Sequence, residues 1–144
     1  RPYHAALAGL MAEAHEAHGI AILIDWHSMP SAAARGPGRD RGCDMVLGDR
    51  FGAACAPELA GRVERMLTDL GYEVSRNTPY AGGYTTEHYG RPARRSHALQ
   101  IEINRALYLD EARLTPTAGF AELQANLETV TRLLAETDWT ALRG

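Results

Sequence analysis

Apolar residues at Ala5, Leu7, Ala8, Leu10, Met11 and Ala14 recur at helical spacing and predict a helix over roughly 2–18, stopped by Gly19. Ile20-Ala21-Ile22-Leu23-Ile24 follows as a continuous, largely β-branched run of the kind that forms a strand covered on both faces. It ends in Asp25-Trp26-His27-Ser28. Asp44-Met45-Val46-Leu47-Gly48 predicts a brief strand. Leu59, Val63, Met66, Leu67 and Leu70 predict a second helix that opens at Pro57 and stops at Gly71. Tyr72-Glu73-Val74 reads as a short strand, and His97–Ile103 as another that alternates partly at period two. Phe120, Leu123, Leu127, Val130, Leu133 and Leu134 carry a last helix from about 117 to 136. Residues 30–42, with Gly36-Pro37-Gly38 and Arg35, Arg39 and Arg41, have no apolar period and read as a loop. The polar and aromatic stretch 77–92 reads as a second, long loop. Helix, strand, helix, strand, strand, helix in this order argues for an α/β layered domain, single over 1–144.

Composition narrows the function classes. A chain of 144 residues can bury roughly two-thirds of its unfolded surface in one core. With 15 basic and 18 acidic residues the net charge is -3, so no general attraction to nucleic acid or an anionic membrane is built in, and neither is expected as a partner. All 15 cations are Arg. The lack of Lys excludes Schiff-base catalysis, P-loop phosphate binding and Ser-Lys chemistry. Cys43 and Cys55 have no CxxC spacing, so a reduced, cytoplasmic protein is expected. No apolar run approaches the ~20 residues of a membrane span. The chain opens at Arg1-Pro2-Tyr3 without a Met, and the expectation is that it lacks its native N-terminal segment.

Three places can carry chemistry. His27 lies just past the most apolar strand, and carboxyl ends of strands in α/β sheets face the ligand crevice. An imidazole there suits metal or proton work, although one that only satisfies a loop carbonyl would occupy the same place. Asp25 can fix its tautomer or cap a turn. In Gln100-Ile101-Glu102-Ile103-Asn104-Arg105 the polar Gln100, Glu102 and Asn104 share one strand face. On a solvated sheet face that means nothing. Against a crevice, Glu102 becomes a desolvated carboxylate with its pKa raised toward general-base range, and Arg105 offers a planar fork for a substrate carboxylate. In the long loop, Gly82-Gly83 allows close backbone approach, and Asn77, Tyr80 and Tyr84 supply neutral hydrogen bonds; a plain surface loop is the competing reading.

The other histidines are weaker candidates. His15 and His18 share a helix face without an acidic partner, and His4 is placed to anchor the first helix. His88 and His97 flank Arg91, Arg94 and Arg95 and read as part of a solvated basic edge. Cys43 and Cys55 read as small core or loop residues, and no G-x-S-x-G elbow surrounds Ser28.

Taken in order, Arg1-Pro2-Tyr3-His4, Asp25-Trp26-His27-Ser28-Met29-Pro30, Asp44-Met45-Val46-Leu47-Gly48-Asp49-Arg50, Asn77-Thr78-Pro79-Tyr80-Ala81-Gly82-Gly83-Tyr84 and Gln100-Ile101-Glu102-Ile103-Asn104-Arg105 resemble the N-formylglutamate amidohydrolase family over nearly the whole chain. The resemblance implies a three-layer mixed sheet flanked by helices, zinc-carboxypeptidase-like (phosphorylase/hydrolase-like). It implies zinc-dependent cleavage of the small molecule N-formyl-L-glutamate to formate and L-glutamate, the last step of one histidine-degradation route. Residue by residue, it implies that His27 is a zinc ligand and Glu102 the carboxylate that activates the attacking water. It implies that Arg105, Asn77 and Tyr84 hold the glutamate carboxylates. Family members carry a His and an acidic residue upstream that complete the zinc shell, so the remaining ligands are expected upstream of Arg1. The alternatives are a related hydrolase of other acyl specificity and a non-catalytic domain that binds an acidic amino acid. The resemblance fixes no oligomeric state.

Overall fold

The computed structural model describes residues 2–35 and 42–142. Residues 36–41 of the expected loop therefore lie outside the described residues. The elements are α1 (Pro2–His18), β1 (Ala21–Met29), α2 (Ser31–Ala34), β2 (Met45–Gly48), α3 (Pro57–Asp69), β3 (Val74–Arg76), α4 (Tyr84–Tyr89), β4 (Ser96–Asn104), β5 (Leu109–Asp110), β6 (Thr115–Pro116) and α5 (Gly119–Glu136). A mixed α/β fold results. Its four-stranded sheet runs in the order β1-β4-β2-β3, and β5 pairs with β6 in a separate ribbon.

Within the sheet β1 pairs with β4 in parallel, β2 with β4 antiparallel and β2 with β3 in parallel. The main core forms where one sheet face, carrying Met45, Leu47, Leu99, Ile101 and Ile103, meets Leu59, Ala60, Val63 and Leu67 of α3 and Leu123 and Val130 of α5. Period two on β4 and a period near 3.6 on the helices make those faces apolar. A Leu→Ala change at such a site typically costs about 2–5 kcal/mol. This burial also fixes the strand register, because a one-residue slip would carry the apolar set to the opposite face.

Several expectations need correction. β1 continues through Asp25 and His27 to Met29, since its parallel partner supplies hydrogen bonds along the whole strand. The expected loop over 77–92 contains α4, in which Thr86 donates its hydroxyl to the Gly83 carbonyl at 2.8 Å. The helical pattern of α1 buries no residue, and Leu10 stands exposed. Side-chain contacts hold it instead: Tyr89 Oη lies 2.9 Å from His4 Nδ1, and His15 Nε2 donates to the Arg94 carbonyl at 3.0 Å. His97 is not on a solvated edge. It is fully buried in β4, and its Nδ1 accepts from the backbone N–H of Ala56 at the start of α3 at 3.1 Å. Cys43 and Cys55 are buried, as expected of small core residues. No helix among the described residues is long and apolar enough to cross a membrane.

Candidate active site

The parallel register sets Asp25 beside Gln100, His27 beside Glu102 and Met29 beside Asn104. Strand alternation therefore puts these side chains on one face, opposite the face covered by α3 and α5. The three polar residues of β4 are all buried there. A solvated sheet face is thereby ruled out for Glu102.

His27 and Glu102, which the sequence offered separately, come together: His27 Nδ1 lies 3.9 Å from Glu102 Oε1. On the other side of the ring, Nε2 lies 3.0 Å from Asp25 Oδ2. That approach lies off the line of the ring N–H, and the buried Oδ2 makes no hydrogen bond among the described residues. The imidazole thus sits between two carboxylates, and 45% of its side-chain surface is open to solvent. The Glu102 residue is only 7% exposed. Burial raises its carboxyl above the usual range and the Asp25 charge adds to this; His27, the Gln100 hydrogen bond and Arg105 pull it partly back. A carboxylate so placed can take a proton from a water that enters over the His27 ring.

Arg105 follows β4 directly. Its Nε donates to Ser28 Oγ at 3.2 Å and its Nη2 to the Ser28 carbonyl at 3.4 Å, so the fork is fixed across the ends of β1 and β4. Asn77 takes another place. Its Nδ2 donates to Asp49 Oδ1 at 2.7 Å, while its Oδ1 accepts the N–H groups of Asp49 at 3.1 Å and Phe51 at 3.3 Å. Its amide is therefore committed to the loop after β2. Tyr84 opens α4, is 59% exposed, and has its hydroxyl 3.3 Å from His88 Nδ1. Asn104 donates to the Cys43 carbonyl and accepts from Ala106 N–H, which makes it a support for the turn that carries Arg105.

Sequence reasoning placed Gln100 on the right face without giving it a task. Its Nε2 donates to Glu102 Oε1 at 2.8 Å and its Oε1 accepts the Gly83 N–H at 2.8 Å. The i, i+2 spacing of two long polar side chains on one strand face was the available signal.

A catalytic zinc takes three protein ligands. The described residues offer the His27 nitrogen with a carboxylate behind it, but bring together no group of three His, Cys, Asp or Glu able to hold a metal. The residues of this chain that are described do not hold zinc on their own. An apolar cavity of about 660 Å³ lies on the other sheet face against α5, lined by Trp26, Ile103, Leu123 and Leu127. It is remote from these carboxylates by the alternation of Trp26 with His27 and of Ile103 with Glu102.

The family model for N-formylglutamate amidohydrolase matches residues 1–109. An N-formylglutamate deformylase of Pseudomonas aeruginosa is 36% identical over 141 residues, covering 94% of this chain and 50% of the relative. One from Pseudomonas putida is 37% identical over 114 residues, covering 77% of this chain and 42% of the relative. The crystal structure of an N-formylglutamate amidohydrolase from Ralstonia eutropha superimposes with a TM-score of 0.87 at 42% identity, over 94% of this chain and 50% of that one. The chain thus spans about half the length of the relatives it matches.

Proposed function

Because the chain belongs to the N-formylglutamate amidohydrolase family, we propose that it carries the reacting carboxylate of an enzyme that hydrolyses N-formyl-L-glutamate to formate and L-glutamate. The observation that supports this most directly is the 3.9 Å approach of a half-open imidazole to the buried carboxyl of Glu102.

Glu102 takes a proton from the water that attacks the formyl carbon, and the C–N bond breaks as that proton passes to the leaving amine. Burial favours this role, since a carboxyl with a raised pKa is a stronger base once ionised. Arg105, already held by Ser28, turns its remaining edge to a substrate carboxylate, as a planar guanidinium suits a carboxylate in two-point contact. Tyr84 adds a neutral hydrogen bond from the mouth of α4, and Asn77 contributes through the loop that it holds. His27 is the zinc ligand that the described residues offer, its Nε2 side taken by Asp25.

The finer assignments rest on the same resemblance: a single hydrolase domain with the three-layer arrangement of the zinc carboxypeptidases, acting at the last step of a histidine-degradation route. The lack of CxxC spacing around the buried Cys43 and Cys55 favours a cytoplasmic setting, and the net charge of -3 favours a small-molecule substrate over nucleic acid or a membrane.

The test is release of formate from N-formyl-L-glutamate and of acetate from N-acetyl-L-glutamate, with zinc measured in the same preparation. In a preparation that supplies the further zinc ligands the described residues lack, formate release that a chelator abolishes and zinc restores is the expected result. Binding of N-formylglutamate without formate release would reduce the protein to a binding domain.

A further inference from the structure

We propose that Gln100 is a positioning residue that aims the Glu102 carboxylate and couples that aim to the seating of the Gly82-Gly83 segment. The proposal rests on the reading of Glu102 as the general base.

Gln100 is 3% exposed, so its amide has no water to turn toward. The Gly83 N–H can only donate, which obliges the amide oxygen to face it at 2.8 Å. The NH2 group is then left facing Glu102, where it donates to Oε1 at 2.8 Å. The amide has one satisfied orientation, and that orientation occupies a single oxygen of the carboxylate. Oε2 of Glu102 takes no hydrogen bond from the described residues and is the oxygen available to a water.

The segment at the other end of Gln100 is itself tightly seated. Gly48 stands beside Gln100 across the β2–β4 pair, and a Cβ there would lie 2.7 Å from the Ala81 carbonyl carbon and the Gly82 nitrogen, so the loop backbone rests directly on the strand. Gly82 has φ +117, and a Cβ there would meet Thr86 Oγ1. Thr86 Oγ1 and Glu87 N–H both bond the Gly83 carbonyl. Gly83 is thus fixed through its carbonyl by α4 and through its N–H by Gln100. Lifting the segment breaks the bond that fixes the amide, and the amide then releases the carboxylate.

Two variants of the full chain separate the two ends of this link. Gln100→Glu keeps an acceptor for the Gly83 N–H but replaces the NH2 that holds Glu102; Gln100→Met keeps length and loses both bonds. Hydrogen exchange at the Gly83 amide should stay within about threefold of the parent in Gln100→Glu and quicken by about tenfold or more in Gln100→Met. Both variants should lose roughly 10–100-fold in kcat, with KM for N-formylglutamate within about threefold, the usual cost of removing a residue that orients a reacting group.

If kcat falls only in Gln100→Met, Gln100 is an anchor for the loop and the proposal is overturned; the same holds if both variants turn over within threefold of the parent. Should Gln100→Met fail to fold, Gln100→Glu decides through its kcat and KM. If Glu102→Gln is as active as the parent, or the parent releases no formate, it is the base assignment that fails. The positioning claim is then judged by crystal structures, where a Glu102 carboxylate that keeps its place in Gln100→Glu would overturn it and one displaced by more than about 1 Å would support it.

Discussion

Asp49 and Asn77 clasp each other: Asn77 Nδ2 donates to Asp49 Oδ1 at 2.7 Å, and the backbone N–H of Asp49 donates back to Asn77 Oδ1 at 3.1 Å. Asp49 is buried, and Arg76 Nη1 donates to its other oxygen at 3.0 Å. The clasp joins the end of β2 to the residue that follows β3, and from it the chain enters the glycine segment. It makes Asn77 a support of the site's wall.

Asn77→Ala removes the donor and acceptor together and places Ala at φ 58, a left-handed conformation that Asn tolerates better than most residues. The buried Asp49 also loses a partner. A loss of about 2–3 kcal/mol in urea unfolding is expected, with a smaller effect on KM. A loss under about 0.5 kcal/mol with a tenfold rise in KM would return Asn77 to direct substrate contact.

What could be read from the sequence follows from where one period dominates. β4 was legible because Leu99, Ile101 and Ile103 alternate with Gln100 and Glu102 without interruption. The second half of β1 was not: Asp25 and His27 look like the end of an apolar strand, and only the partner β4 explains why polar residues continue it. α4 was hidden because Thr85 and Thr86 are poor helix formers and the helix has only 6 residues, held by the Thr86 hydroxyl and its neighbours. The pairing of His27 with Glu102 needed the β1–β4 register, which no single-chain pattern contains. His97 was misjudged from its Arg neighbours, although its parity on the strand is that of Leu99 and Ile101.

That buried position has a consequence in acid. Ala56 N–H donates to His97 Nδ1, so the ring is neutral with its proton on Nε2, which has no partner among the described residues. Burial, with Arg95 adding to it, holds the ring's pKa below the usual 6.5. The unfolded chain therefore binds a proton that the folded chain refuses, and stability falls as pH drops below about 6.5 toward the lowered folded pKa. His97→Asn keeps an acceptor and cannot titrate, so urea unfolding between about pH 7 and 5 should show a shallower loss. Identical slopes for parent and variant would sink this account.

Cys55 should be inert in the folded protein. Burial, and then the Asp49 charge, push its thiol up to about 12, which at pH 8 leaves a thiolate fraction of about 10⁻⁴. In a Cys43→Ser background, labelling by iodoacetamide should wait on unfolding and become complete in denaturant. Labelling of native protein at the rate of a free thiol would show that the β2–α3 loop opens readily.

The sharpest test is Glu102→Gln, because rate and stability should move in opposite directions. Gln keeps size and an acceptor for Gln100 Nε2 but cannot take a proton. Formate release should fall roughly 10²–10⁴-fold, mainly in kcat, since substrate contacts remain. For stability, the folded pKa of Glu102 lies above its ordinary value of 4.5, so the folded state holds the proton longer than the unfolded one. Stability is then present below about 4.5 and is lost as pH rises through the raised folded pKa, where a buried charge must form. Gln forms no such charge. The variant should melt a few degrees above the parent at pH 7 and lose that advantage near pH 4. Scanning calorimetry at the two pH values, beside the formate assay, reads both effects. A variant that keeps the parent's rate within a few-fold would remove Glu102 as the base; one that loses the rate but also melts lower at pH 7 would mean that the carboxylate is stabilised in its pocket rather than strained by it.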